Sequence, residues 1–391
     1  MEIPRRMMQV SPPPLHELRA RARELAVGGA DIVSLGQGIP AFAPAPVIEQ
    51  AVRDGFKGET MHRYSQDEGL QELRYELAQK LSSHNNIQAD PDNEIIITSG
   101  ANQAFMTAIL TVTEPGDHIL LPAPYFVNHE MAIKICGRVP IEVPLSEDDG
   151  FQIRLDALAP YVDAKTKALV MVSPNNPTGA VYGKEELIAC ASFMASRGIL
   201  TISDESYEFF VHDGALHFSI GSIPQLSQHV ITIGSFSKSF AMTGWRLGYL
   251  VSSREVWTQA IKVHNAMMLC APVPAQMAVL ALLKNYRGFV ADNLRTLQEG
   301  RTYLRNQLRA IPHLSWHPTN GAFFAFARVD LDESVQAVAA DILETAHLLV
   351  VPGTTFGRYG EGYLRLSYGS LDIESLKKAL NRLEKYFSDR Q

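Results

Sequence analysis

The chain has 391 residues, of which 46% are hydrophobic and 20% are charged, and its formal net charge is −7. This length exceeds that of an ordinary single core, so length and composition together predict a globular protein of about two domains. The negative charge disfavours a nucleic-acid partner, and no apolar run approaches the roughly 18 residues that a membrane span requires.

The three cysteines, Cys136, Cys190 and Cys270, are far apart in the sequence. They match neither a disulfide framework nor the ligand spacing of a zinc site. The N-terminal "MEIPRRMMQVSPPP" lacks an apolar stretch long enough for a signal peptide. We therefore expect a cytoplasmic protein with no bound metal and no membrane partner.

The predicted elements begin with a proline-rich N-terminal segment. "SPPP" at 11–14 and "PAFAPAP" at 40–46 predict an arm that crosses the surface, because proline fixes φ and lacks a backbone donor. The first clear helical pattern is "LQELRYELAQKL", in which the leucines recur on one helical face. They are Leu70, Leu73, Leu77 and Leu81.

Short apolar runs that alternate with helical patterns predict strands up to about residue 250. The runs are "EIIIT", "HILLP", "KALVMVSP", "GILTISD", "HVITIGS" and "RLGYLVS". Strands that are apolar on both faces are typical of a parallel or mixed sheet covered by helices. We expect an α/β domain in this part of the chain.

The pattern changes after "APVPAQMAVLALL". A charged helical stretch, "DNLRTLQEGRTYLRNQL", is followed by the strand-like "GAFFAFARV" and "YLRLSYG", and the helix "IESLKKALNRLEKYF" comes last. This order predicts a smaller α+β domain.

Four of the predicted strands are followed by polar residues. The residues that could bind a ligand there are Gly100, Ala101 and Asn102 after "EIIIT", Asn176 in "SPNNPTG", Asp204 with Tyr207 in "SDESY", and Lys238 after "HVITIGS"; the first two would offer backbone N–H groups. Ligands of open α/β sheets bind at the carboxyl ends of the strands. The sequence therefore predicts one site at this edge.

Each group taken singly has an ordinary structural explanation. "NNPTG" favours a turn, Asp204 could cap a helix, Tyr207 could be a packed aromatic and Lys238 a surface lysine. "SGANQAF" could likewise be a simple strand-to-helix turn. Their coincidence at the same end of consecutive strands favours a shared functional site.

The small residues at 100–102 open a helix whose first N–H groups are free to bind an anion. Hydroxyl and guanidinium groups further along the chain can bind the same phosphate, since arginine matches phosphate oxygens. These groups belong to Ser235, Ser237 and Arg246. The pattern is not a P-loop, because Lys238 follows a different strand from the glycine.

A phosphate site beside a lysine and a carboxylate indicates an aldehyde cofactor. Pyridoxal phosphate needs a lysine for a Schiff base, a carboxylate for its ring nitrogen and a phosphate cup. Lys238 and Asp204 would supply the first two.

Together, "SFSKSFAMTGWRLGY", "SPNNPTG", "SDESY" and "YLRLSYG" resemble the class I aminotransferases, which are fold-type-I pyridoxal-phosphate enzymes. The resemblance extends in the expected order over nearly the whole chain. It implies a mostly parallel seven-stranded sheet in a large domain at 46–285, with a small α+β domain formed by 1–45 and 286–391. It also implies that an amino group moves between an L-amino acid and a 2-oxo acid by a ping-pong mechanism.

The resemblance implies a role for each motif residue around the cofactor. Lys238 would bond to the cofactor and later move the substrate proton, and Asp204 would keep the ring nitrogen protonated. Asn176 and Tyr207 would hydrogen-bond the phenolic oxygen of the ring, and Tyr125 would stack on the ring face. An amine with an ordinary pKa of about 10.4 needs desolvation and nearby positive charge to act as a base, so an acid beside Lys238 would disable it.

In the family pattern, Arg365 clamps the α-carboxylate of the substrate, with Asn176 and Gly38 also in contact with substrate. Strand alternation places Arg365 on the face opposite its leucine neighbours. Tyr64 matches a tyrosine that reaches the cofactor phosphate of a neighbouring subunit. A homodimer is therefore implied.

The N-terminal loop departs from the family pattern. Ile39 and Ala41 stand where many relatives have acidic residues, and Ile39 hints at a hydrophobic or aromatic substrate. No second arginine lies in a motif that would assign it to a distal carboxylate.

Two other functions stay open at this point. A C–S lyase or another pyridoxal-phosphate enzyme would use the same fold and cofactor on amino acids. A transcriptional regulator with this fold would need an added basic DNA-binding module, which the net charge and the 40 to 60 residues before the sheet domain disfavour.

Overall fold

The computed structural model describes residues 3–12 and 15–390, so Pro13 and Pro14 of the predicted arm lie outside the described residues. The helices are α1 (Arg5–Met8), α2 (His16–Val27), α3 (Pro46–Gly55), α4 (Gln71–Lys80), α5 (Ala101–Val112), α6 (Val127–Ile135), α7 (Leu155–Leu158), α8 (Lys184–Ala195), α9 (Arg254–Met268), α10 (Val273–Leu283), α11 (Tyr286–Leu308), α12 (Val335–Ala346) and α13 (Ile373–Ser388).

The strands fall into three sheets. They are β1 (Val33–Ser34), β2 (Ile95–Thr98), β3 (His118–Ala123), β4 (Val139–Pro144), β5 (Thr166–Val172), β6 (Leu200–Asp204), β7 (Val230–Ser235), β8 (Gly248–Val251), β9 (Leu314–Ser315), β10 (Phe324–Val329), β11 (Leu348–Leu349), β12 (Val351–Pro352) and β13 (Tyr363–Ser367).

The largest sheet has seven strands in the order β2-β8-β7-β6-β5-β3-β4. Its pairs are parallel except that β8 runs antiparallel to both of its neighbours. This arrangement confirms the predicted, mostly parallel seven-stranded sheet. Since β2, β5, β6 and β7 all run the same way, the residues that follow them meet at one edge.

The core forms where the apolar runs predicted it. Leu73 and Leu77 on α4 are fully buried, and so is Leu81, which directly follows the last residue of that helix. Leu70 lies just before the helix begins. The central residues of β5 to β7 are almost wholly inaccessible to solvent because helices cover both faces of the sheet.

A smaller unit follows the predicted α+β pattern. β12, β13, β10 and β9 form an antiparallel sheet in that order. The apolar faces of α11, α12 and α13 pack on this sheet in one core cluster. The domain boundaries at 45/46 and 285/286 stay a prediction.

The N-terminal segment is more regular than the predicted arm. α1 and α2 were not predicted, and Pro46 is the first residue of α3, where its missing N–H is tolerated. β1 also pairs in parallel with β11. No helix in the described part of the chain combines the length and apolar character needed to cross a bilayer.

Candidate active site

A cavity of about 540 Å³ lies at the carboxyl ends of β5, β6 and β7. Most of the residues that the sequence singled out line it. They are Gly38, Ala101, Asn102, Asn176, Asp204, Tyr207, Ser235, Ser237, Lys238, Arg246 and Arg365. The polar groups that follow separate strands therefore do share one site.

An anion cup forms where α5 meets Arg246. α5 begins at Ala101, and no side chain caps its first N–H groups. Gly100 precedes it with φ of 79°, and a Cβ there would lie 2.5 Å from Arg246 Nη2. Arg246 Nη1 also donates to Ser237 Oγ at 3.4 Å. Only glycine fits at position 100, since it tolerates positive φ and leaves room for the guanidinium.

Lys238 lies just beyond β7, with its Nζ donating to the carbonyl oxygen of Gly38 at 2.5 Å. Burial, together with the positive charges of Arg365 and Arg246, lowers its pKa to about 8. About a tenth of the amine is therefore neutral at pH 7 and about half at pH 8, far more than for an ordinary lysine, and a nucleophile or general base must be neutral.

Asp204 ends β6 and is 4% exposed. Its Oδ2 lies 3.1 Å from His129 Nε2, and its Oδ1 accepts from the Ser206 N–H at 3.0 Å. Burial by itself would raise the pKa of Asp204, but hydrogen bonds from His129 and Ser206 outweigh burial and lower the pKa. The carboxylate is thus held ionised at the bottom of the cavity.

Sequence reasoning missed His129. It lies on α6, is 2% exposed and stacks on Phe105 with 4.1 Å between ring centroids. The sequence offers no signal for its contact with Asp204 beyond a histidine on a helix that follows a predicted strand.

Arg365 and Asn176 meet across the cavity. Arg365 Nη1 donates to Asn176 Oδ1 at 2.9 Å, and Nη2 donates to the Gly36 carbonyl at 2.8 Å. The guanidinium lies between Phe324 and Phe356, 4.6 and 4.9 Å from their ring centroids. These contacts fix the orientation of a buried cation whose Nε has no hydrogen-bond partner in the described residues.

Burial lowers the pKa of Arg365 to about 10, so the group is still charged at neutral pH. Tyr207 lies beside it and packs edge-on against Phe324. Burial raises the pKa of Tyr207, and nearby Asp204 adds to the effect, so its hydroxyl keeps its proton. The site therefore offers both a cation and a neutral donor.

The prediction for Tyr125 is wrong. Its side chain is 2% exposed and packs behind β3, where its hydroxyl donates to Glu142 at 2.8 Å. The next residue, Phe126, lines the cavity instead. Adjacent residues in extended backbone point to opposite sides, and the sequence did not indicate which side faces the site.

Tyr64 lies away from the cavity wall, and its side chain is 80% exposed. This position is compatible with the contact to a neighbouring subunit that the sequence implied. The contact itself stays a prediction.

A buried ionic network supports the segment that carries Asp204 and Tyr207. Lys80 Nζ lies 2.5 and 2.6 Å from the carboxylate oxygens of Glu208. Glu205, which is 1% exposed, lies 3.0 Å from His217 Nε2. Because the two glutamates alternate with the two site residues, these contacts also fix the backbone of the site.

Comparison with known proteins identifies the class. Residues 30–383 match the family model described as aminotransferase class I and II. The chain belongs to this family.

The chain is 36% identical to an aspartate aminotransferase of Pyrococcus abyssi, over 94% of this chain and 95% of the relative. It is 34% identical to aromatic-amino-acid aminotransferase 2 of Thermococcus litoralis over the full length of both. The solved structure of a Thermus thermophilus aspartate aminotransferase with maleate matches with a TM-score of 0.92 at 33% identity, covering 98% of this chain and 99% of that one. With relatives of this kind over its whole length, the protein is a transaminase.

Proposed function

We propose that the protein is a pyridoxal-phosphate-dependent aminotransferase that moves an amino group between an L-amino acid and a 2-oxo acid by a ping-pong mechanism. The observation that carries this proposal is the meeting of Lys238, Asp204 and the anion cup in one cavity. No P-loop or metal-ligand motif accounts for that combination.

The residues present fit this cofactor. The uncapped start of α5 and the guanidinium of Arg246 suit a phosphate group, and glycine at 100 is required for them to meet. Asp204 is buried and ionised, which suits a protonated ring nitrogen. Phe126 in the cavity wall offers an aromatic face for a planar ring.

Pyridoxal phosphate, when bound, supplies an aldehyde that bonds to amines and a ring that withdraws electrons from the substrate Cα. Lys238 then acts on the substrate: its neutral amine accepts the Cα proton and later returns a proton. Its lowered pKa makes this possible near neutral pH. Asp204, which His129 contacts, would stabilise a positive charge on the ring nitrogen of the cofactor.

Arg365 binds the α-carboxylate of the substrate. Its free Nε and its position between two aromatic rings leave a guanidinium edge for a charged, bidentate partner. Asn176 fixes that edge by accepting from Nη1, and Gly38 contributes backbone to the same wall. Arg365→Ala should weaken the binding of amino and oxo acids by about 2–4 kcal/mol with cofactor binding kept. Unchanged substrate affinity would remove Arg365 from the site.

The proposal includes a homodimer in which Tyr64 completes the phosphate site of the partner subunit. Its support is an aromatic side chain that is 80% exposed in one subunit and the family resemblance of its motif. We also propose a cytoplasmic location, which the three free cysteines favour.

Borohydride trapping tests the proposal. The purified protein with added pyridoxal phosphate should be yellow, and reduction should leave the cofactor attached to Lys238. Lys238→Ala should abolish both the trapped adduct and turnover. A variant with near-normal rates would refute the assignment.

A single-turnover experiment separates the transaminase from a C–S lyase. An amino acid alone should bleach the yellow form once, with one equivalent of 2-oxo acid and no free ammonia. Continuous release of ammonia would favour the lyase.

A further inference from the structure

Helix α2 borders the cavity with a row of basic side chains. His16, Arg19 and Arg23 are spaced three and four residues apart, so they lie on one helical face. All three line the cavity, together with Leu15 at the start of the helix. A helix that sequence reasoning did not predict thus supplies part of the site wall.

Another face of α2 holds the helix in place. Leu18, Ala22 and Leu25 form an apolar stripe that packs against Leu343 of α12 and Leu349 of β11. The basic row is therefore fixed relative to the cavity and is not a loose terminal segment.

The charges of the site are unbalanced at this row. Among the described residues that line the cavity, only Asp204 carries a carboxylate, and this carboxylate already contacts His129. Under the proposed function, the cofactor phosphate neutralises Arg246 and the substrate α-carboxylate neutralises Arg365. Neither of these anions accounts for the two arginines of α2.

The neighbouring arginine on the same helix behaves differently. Arg21 lies 2.6 Å from Glu344 and 3.1 Å from Glu24. Arg19 and Arg23 form no ion pair with any carboxylate in the described part of the chain. Both arginines are exposed to solvent, but they also line the cavity in which Lys238, Arg246 and Arg365 lie.

Arg19 is also close enough to Arg365 to act on it electrostatically. Burial is the main cause of the lowered pKa of Arg365, and the charge of Arg19 lowers it further. A ligand with negative charge at both positions would relieve this repulsion, since like charges at short range disfavour one another.

We propose that Arg19 and Arg23 form a second anion subsite, which selects substrates with a negatively charged group, carboxylate or phosphate, at the end of the side chain. This inference rests on the proposed function and specifies its substrate class. The sequence did not point to it because neither arginine lies in a recognisable motif.

Apolar residues of the same cavity offer the competing outcome. Ile39, Phe126 and Val351 line it and would suit a neutral aromatic or aliphatic side chain. The names of the relatives do not decide between charged and neutral substrates, because one relative is an aspartate aminotransferase and another is an aromatic-amino-acid aminotransferase.

Equilibrium binding tests the subsite without turnover. Succinate carries two carboxylates and butyrate carries one, so calorimetry on the cofactor-loaded protein should find succinate at least tenfold tighter. The preference should decrease with salt, as expected for partly exposed charges. In the double variant Arg19→Gln/Arg23→Gln it should disappear. Each single variant, Arg19→Gln or Arg23→Gln, should reduce the preference, whereas Arg21→Gln, which also removes one positive charge from the same helix, should keep it.

Half-reaction kinetics identify the anion. The ratio of kcat/KM for L-aspartate to that for L-asparagine should fall about 10- to 100-fold in the double variant and stay unchanged in Arg21→Gln. O-phospho-L-serine in place of aspartate distinguishes a phosphate from a carboxylate preference.

Two results would overturn the subsite. One is a wild-type protein that prefers asparagine or phenylalanine to both charged substrates, and the other is a double variant with an unchanged ratio. Either leaves the proposed function intact, because amino acids would still bleach the protein. A protein that no amino acid bleaches would instead contradict the proposed function.

Discussion

Replacing Lys80 by methionine removes the cation of a buried ion pair near the site. The side chains of Lys80 and Glu208 are 3% and 4% exposed, and Nζ contacts both carboxylate oxygens. Methionine has a similar shape but no charge. Glu208 would keep its bonds from Asn85 and Tyr249 but lose its counter-charge.

The cost follows from this burial. Breaking a buried pair on one side costs about 3–5 kcal/mol, because a charge is left without compensation. The free energy of unfolding of an ordinary domain is about 5–15 kcal/mol, so this loss would be a large share of the total stability. By contrast, Lys57 and Asp54 form an exposed pair, at 78% and 52%, and Lys57→Met should cost less than about 1 kcal/mol.

The loss should also depend on pH. In the wild type, burial would raise the pKa of Glu208, but Lys80 and two histidines lower it below 4.5. This contribution to stability is present above pH 4.5 and disappears as the pH falls. Without Lys80 the effect of burial prevails, so the pKa rises and the variant is penalised more as the pH increases. The destabilisation should therefore be larger at pH 8 than at pH 5.

Urea unfolding followed by circular dichroism, at fixed cofactor concentration, measures the difference. The double variant Lys80→Met/Glu208→Gln should recover much of the stability, because the buried charge is then absent. A Lys80→Met loss under about 1 kcal/mol that is equal at pH 5 and pH 8 would refute this reasoning.

Three further predictions concern the site. Gly100→Ala should weaken the binding of pyridoxal phosphate at least tenfold, because its Cβ would displace Arg246. Gly116 is also at positive φ but has open space around it, so Gly116→Ala should affect stability only. Equal cofactor affinities of the two variants would contradict the anion cup. The rate at which pyridoxal, which lacks phosphate, bonds to Lys238 should rise with pH, reach half of its maximum near pH 8 and level off above that pH. Arg246→Gln should move this midpoint upward because a cation is lost. A wild-type midpoint near 10.5 would exclude the lowered pKa. His129→Leu removes a hydrogen bond that lowers the pKa of Asp204, so kcat/KM should fall about 10- to 100-fold. His118→Leu, which breaks a His–Asp contact outside the cavity, is its control, and a similar loss in both variants would argue against a positioning role.

The local sequence pattern was enough to predict the central strands and the main helices. β2, β5, β6 and β7 are apolar on both faces, and that pattern requires burial whatever the partners are. β4 was not predicted from the sequence. It is an edge strand with prolines at 140 and 144, and proline disfavours the prediction of a strand. The two-residue strands β1 and β11 exist only because they pair with each other across the chain.

The motif residues and their shared edge were determined by the sequence itself. Lys238, Asp204 and Asn176 follow apolar strands directly, and parallel strands that enter a sheet in the same direction must deliver their ends to the same side. Any fold that buries these strands in parallel brings the three groups together.

Only the tertiary structure decided the contacts between distant segments. It turned Phe126 and not Tyr125 into the cavity, brought His129 to Asp204, and docked α2 so that Arg19 and Arg23 face the site. The physical reason is common to all of them: which face of an element meets a cavity depends on how that element packs against other elements, and periodicity along one segment does not encode that orientation.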